Sequence, residues 1–183
     1  MKGIIFTNFL EMVDEKFSME MQERLIQACD LPSGGIYTSV GTYDHAEMIQ
    51  LVSQLHQFTQ IPIPELLKTF GNYLLLFFHQ RYPDFFNHPS VFEFLMSVDD
   101  YIHDEVKKLY PDSELPIFEH TLRSDDELWL DYYSSRHFED VAEGLIVGAC
   151  KVFGETMDCQ RFPLNHSDRG GIRFILNRKA HHG

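Results

Sequence analysis

A chain of 183 residues with 44% hydrophobic side chains is long enough to bury about 70% of its unfolded surface around one core, so a single domain suffices. Fifteen Lys and Arg stand against 28 Asp and Glu, a formal net charge of −13 that argues against nucleic acid or an anionic membrane and suits small-molecule or protein partners. Sixteen phenylalanines are a large aromatic load, met either by a Phe-rich core or by a core that surrounds something apolar.

The first predicted element is an amphipathic helix over residues 3 to 17, where Ile5, Phe6, Phe9, Leu10 and Val13 recur at three- and four-residue spacings. With Glu11 and Asp14 in the stretch and no small-residue cleavage site, it reads as neither signal peptide nor membrane span. A shorter helix runs through Met21, Leu25 and Ile26 and is broken by "LPSGG" at 31 to 35. Asp44 caps a third over 44 to 58, with Met48, Leu51, Val52 and Leu55 on one face. Pro64 opens a fourth over 65 to 80, whose stripe of Leu66, Leu67, Phe70, Leu74, Phe77 and Phe78 is wide enough to predict burial. Ser90 caps a fifth over 91 to 109, with Val91, Leu95, Val98, Ile102, Val106 and Leu109 in its stripe and His103 at the edge.

After "YPDSELPIFEH" the period changes to short alternating runs. Strands are expected near 118 to 123, 127 to 134, 157 to 164 and 171 to 176, the last two joined by the turn-forming "NHSDRGG", with a helix over 138 to 154 between the second and third. The predicted class is α+β: an N-terminal helical part packed on a C-terminal four-stranded antiparallel sheet with one inserted helix. Cys29, Cys150 and Cys159 form no metal-type spacing, and an odd count is poor material for disulfides, which points to a reducing cytoplasm.

In "LWLDYYSSR" the alternate residues Leu128, Leu130, Tyr132, Ser134 and Arg136 share one face if the strand continues, passing from apolar to polar. Side chains two apart lie roughly 6.5–7 Å apart, so the last three spread over about 13 Å, wide for one phosphate and suited to two carboxylates, with Arg supplying a bidentate fork. A strand end whose Arg pairs with a surface carboxylate accounts for the same residues. No histidine pair has the spacing of a zinc helix, but His103, on a helix edge beside Val106, has the character of a single axial ligand, or of a satisfied core histidine. Asp99 and Asp100, neighbours that point different ways, read as solvated, and no phosphate loop, G-x-S-x-G elbow or catalytic Cys flank is present.

Taken together, "MKGIIF" at the start, His103 in "DDYIHDEVKKLYP", Pro116 in "LPIF", and Tyr132, Ser134 and Arg136 in "YYSSR" before a Gly-containing helix resemble the haem nitric oxide/oxygen binding (H-NOX) family, related to the haem domain of soluble guanylate cyclase. The resemblance spans the chain as one domain, 1 to 183, with a distal helical subdomain over about 1 to 63, a proximal one over about 64 to 183, and haem b buried between helices and sheet. It implies that His103 is the axial ligand of the haem iron, that Tyr132, Ser134 and Arg136 hold the two propionates, and that Pro116 and Ile5 press on the macrocycle from opposite sides.

Oxygen-binding members carry a distal tyrosine and two supporting polar residues, and these positions fall here on Val141, Phe9 and Leu74, with Leu145 beside them in the pocket. Bound dioxygen gains from a hydrogen bond far more than nitric oxide does. Losing one such bond is worth ~1.5–3 kcal/mol, roughly one to two decades of affinity, so the resemblance implies a nitric oxide sensor that could also take carbon monoxide. Gly144 and Gly148 permit close approach of their helix to a neighbour or to the haem, and Cys150 on the same helix reads as a small buried hydrophobe.

By the same resemblance, nitric oxide weakens the bond to His103 and lets the two halves shift, and with no output domain in the chain the signal passes to a separate histidine kinase, diguanylate cyclase or phosphodiesterase. The protein is then no enzyme itself. Two other readings use the same cavity: a haem or gas carrier without signalling, and a binding module for an apolar ligand such as a fatty acid whose carboxylate meets Arg136.

Overall fold

A computed structural model describes residues 1–164 and 170–179. Helices α1 (Gly3–Lys16), α2 (Met19–Ala28), α3 (His45–Thr59) and α4 (Ile63–Arg81) come first. A 3-10 turn over Pro83–Phe86 leads to α5 (Val91–Ser97), a π turn over Val98–Ile102 and α6 (His103–Leu109). Strands β1 (Ile117–Ser124) and β2 (Glu127–Tyr133), helix α7 (Glu139–Val152), and strands β3 (Met157–Pro163) and β4 (Ile172–Arg178) complete the order. The four strands form one antiparallel sheet in the order β1-β2-β4-β3. The expected class therefore holds, although residues 165–169 of the hairpin link "NHSDRGG" lie outside the described residues.

Local chemistry accounts for the helix starts. The Asp44 carboxylate accepts from the Ala46 N–H at 2.9 Å and the Ser90 hydroxyl from the Glu93 N–H at 3.3 Å, each satisfying a donor that the first helical turn leaves free. Pro64 sits in the first turn of α4, where its missing N–H costs no bond. Among the described residues no helix is long and apolar enough to cross a membrane.

Two apolar clusters form the interior. One joins α1, α2 and α3 to Leu66, Leu67, Phe70 and Leu74 of α4. The other joins α5 and α7 to the inner sheet face, where Leu128, Leu130, Tyr132, Phe174 and Leu176 are buried, and it takes Leu75 of α4. Helix α4 is thus a common wall, and α7 lies along it. Crossing is closest at Gly71 and Gly144: a Cβ at Gly71 would stand 2.1 Å from the Val141 carbonyl oxygen, and one at Gly144 2.2 Å from that of Lys68. The neighbour that Gly144 admits is α4.

Two expectations are corrected. The single helix over 91 to 109 is interrupted by the π turn, in which the His103 N–H bonds back to the Val98 carbonyl. The apolar spacings of three and four run unbroken through Val98, Ile102 and Val106, so periodicity gave no sign of it. Strand β2 ends at Tyr133 rather than 134, because its partners stop there: Ile117 pairs with Tyr133 and Ile172 with Tyr132. Ser134 and Arg136 therefore belong to a turn, closed by the Arg136 N–H donating to the Ser134 hydroxyl at 3.2 Å, with His137 following at φ 53°.

Candidate functional site

Where the two clusters meet, a cavity of about 670 Å³ opens between helices and sheet, within the roughly 300–1,000 Å³ usual for cofactor and ligand sites. Every side chain that α1, α4 and α7 present to it is a hydrocarbon, among them Ile5, Leu74, Val141 and Leu145. On the other elements, His103 and Pro116 line it, and Tyr132, Ser134 and Arg136 bring hydroxyls and a guanidinium. Nine of the ten residues singled out in the sequence therefore share one cavity. The tenth, Phe9, does not line it: fully buried, it stands edge-on behind Phe70, ring centroids 5.2 Å apart, and Phe70 takes the place at the wall. Phe9 lies one turn beyond Ile5 on α1, where the helix faces the core of the helical cluster instead.

His103 heads α6, its side chain 13% exposed. Its Nδ1 lies 3.1 Å from the Asp99 Oδ1. A carboxylate only accepts, so Nδ1 carries the proton and Nε2 keeps its lone pair for a ligand. Burial holds the imidazole below its ordinary pKa, and the nearby Asp99 opposes without reversing this, so the ring is neutral at neutral pH.

At the mouth, burial pushes the Tyr132 phenol up, which keeps it a neutral donor beside Ser134. Arg136 donates from Nη2 to the Glu114 carboxylate at 2.6 Å and from Nη1 to the Glu114 carbonyl at 3.1 Å. Glu114 is 79% exposed, so this pairing is a weak one that an incoming carboxylate can share or displace. Lys2 and Thr42 both hold Asp112 nearby, at 2.7 and 2.9 Å, tying the chain start to the loop that carries Glu114 and Pro116. Sequence reading missed Glu114 and gave Asp99 little weight, as a solvated neighbour of Asp100. Asp99 opens the quoted stretch around His103, but its sequence neighbours gave no sign that it pairs with that ring, and Glu114 likewise acts through a fold contact, with Arg136.

A family model for haem-NO-binding proteins matches residues 2–161. The chain belongs to this family. Solved H-NOX structures agree over essentially the whole length. The Fe(II) unliganded H-NOX protein from K. algicida is 35% identical, with 98% of this chain and 97% of that one covered and a TM-score of 0.90. The IWP-051-bound H-NOX from Shewanella woodyi in the Fe(II)CO state is 36% identical, covering 100% and 97%, with a TM-score of 0.85. An H-NOX protein from S. oneidensis in the Fe(II)NO state is 28% identical, covering 98% and 99%, with a TM-score of 0.89. No curated protein matches the chain.

H-NOX domains are haem-based sensors of nitric oxide and oxygen rather than enzymes. The residues of this chain fit a haem. A flat apolar macrocycle suits a hydrocarbon-walled cavity, one neutral imidazole with a free Nε2 suits an axial position, and two hydroxyls with a guanidinium suit two carboxylates.

The three thiols have no such fit. Burial pushes Cys150 up to about 11 and Cys159 up to about 12, and raises Cys29 as well. At pH 8 all three stay protonated, and only the thiolate reacts. The folded protein is therefore expected to resist iodoacetamide at pH 8 and to label fully once unfolded, as mass spectrometry would read. Labelling of folded Cys150 at the rate of a free thiol would contradict this.

Proposed function

We propose that the protein senses nitric oxide through haem b held in the cavity, and passes the signal to a separate histidine kinase or cyclic-di-GMP enzyme. When bound, haem supplies the ferrous iron that takes the gas. In this reading His103 gives Nε2 to the iron, Tyr132, Ser134 and Arg136 bind the propionates, and Pro116 and Ile5 contact the macrocycle. The chain acts as one domain, with residues of about 1 to 63 as a distal subdomain and about 64 to 183 as a proximal one.

The observation that carries the choice of gas is the wall formed by α1, α4 and α7. Ile5, Leu74, Val141 and Leu145 offer no hydrogen-bond donor, with Phe70 in place of Phe9. Dioxygen, which draws charge from iron, loses most from such a wall, while nitric oxide and carbon monoxide lose little. His103 would also be the link to an output, because it is the first residue of α6 and directly follows the π turn.

A kinase or cyclic-di-GMP enzyme encoded beside this chain provides the test. Its autophosphorylation or turnover should change when the holoprotein is loaded with nitric oxide, and should not respond to His103→Gly treated in the same way. Activity that is indifferent to nitric oxide in every such pairing would remove the signalling part of the reading.

A further inference from the structure

Asp99 lies in the π turn, four residues before His103, and its side chain is one-third exposed. A single oxygen, Oδ1, faces two donors: Nδ1–H of His103 at 3.1 Å and the backbone N–H of Phe118 at 3.2 Å. Phe118 is the second residue of β1, and its register partner across the sheet is Tyr132. Its ring lies 6.1 Å from the His103 ring and 5.3 Å from that of Tyr132, measured between centroids. One carboxylate oxygen therefore joins the imidazole to the strand that pairs with the carboxylate-binding end of β2.

π turns arise where a helix is forced to admit an extra residue, and they are frequent at functional sites. Here the turn has an evident geometric use. It sets Asp99 where its carboxylate reaches both its own helix and the start of the sheet.

We infer that Asp99 is the positioning residue of His103, setting the ring's orientation and the electron-donating strength of Nε2, and tying its position to β1 through the Phe118 N–H. The inference rests on the haem reading above. A carboxylate on the far nitrogen of a ligating imidazole fixes its tautomer and raises its basicity, and such partners matter to metal binding by roughly 10–100-fold. Displacement of the ring leaves two outcomes for Asp99: it follows and releases Phe118, or it stays and leaves Nδ1–H unpaired. Either way, movement at His103 is felt where β1 begins, beside Tyr132.

Asp99→Asn keeps the side chain's shape and an acceptor oxygen but removes its charge. In the ferrous holoprotein the iron–histidine stretching band in the resonance Raman spectrum should move to lower frequency, and the midpoint potential to more positive values, with an unchanged melting profile. A role in folding alone would move the melt and leave the band. In the unmodified protein with carbon monoxide bound, the Nδ1 proton of His103 should resonate downfield and exchange slowly, which holds the inference to account even if the variant does not fold. A folded Asp99→Asn holoprotein with band and potential unmoved, or an Nδ1 proton exchanging at the solvent rate, overturns the inference while leaving the haem reading intact. An unmodified protein that takes up no haemin overturns both.

Discussion

Gly144→Ala is expected to destabilise the protein by about 1–3 kcal/mol, the usual cost of forcing a methyl into a packed interior. For a chain of this size each kcal/mol lowers the melting temperature by roughly 2–4 °C. The added Cβ would lie 2.2 Å from the Lys68 carbonyl oxygen, and the next nearest atom is the Gly71 Cα at 2.9 Å. Both are backbone, so no side chain can swing aside. Relief requires α4 and α7 to separate, and these helices carry Leu74, Val141 and Leu145 into the cavity. Haem should therefore leave the variant faster than the parent. Val147→Ala on the exposed side of α7 serves as the control and should change stability by no more than about 0.5 kcal/mol. A Gly144→Ala protein that melts with the parent would mean that the two helices are not held at this spacing.

The second large effect is expected at His103. Removing the imidazole in His103→Gly should abolish the spectrum of histidine-ligated haem and weaken haem binding by ~100-fold or more, beyond the 10–100-fold typical of losing a group that only orients a ligand. Added imidazole should restore the spectrum, because the space vacated beside Asp99 is the size of the lost ring and retains its acceptor. The absorption spectrum with and without imidazole is the readout. An unchanged spectrum in His103→Gly would place the axial ligand elsewhere.

Much of this was legible in the sequence where one residue type carries one local job. Asp44 and Ser90 cap helices because short polar side chains reach free N–H groups, and the wide stripe of α4 marked it as buried. Apolar alternation foretold the inner face of β2. What stayed hidden depended on neighbours distant in the chain. Arg136 leaves the sheet because β1 and β4 stop pairing at Tyr133 and Tyr132, a fact of other strands. Phe9 turns from the cavity because Phe70 of another helix fills the wall. Asp99 looked solvated beside Asp100 and acquires its role only when β1 brings the Phe118 N–H to it.

A haem held by His103, with the side chains of α1, α4 and α7 offering no hydrogen-bond donor to the cavity, can be tested by the absorption spectrum of the ferrous holoprotein under argon, then with nitric oxide, and separately in air. The expected result is a Soret band that shifts on adding stoichiometric nitric oxide and no stable oxygen complex in air. A stable oxygen complex, or a chain that stays colourless after exposure to haemin, would contradict it.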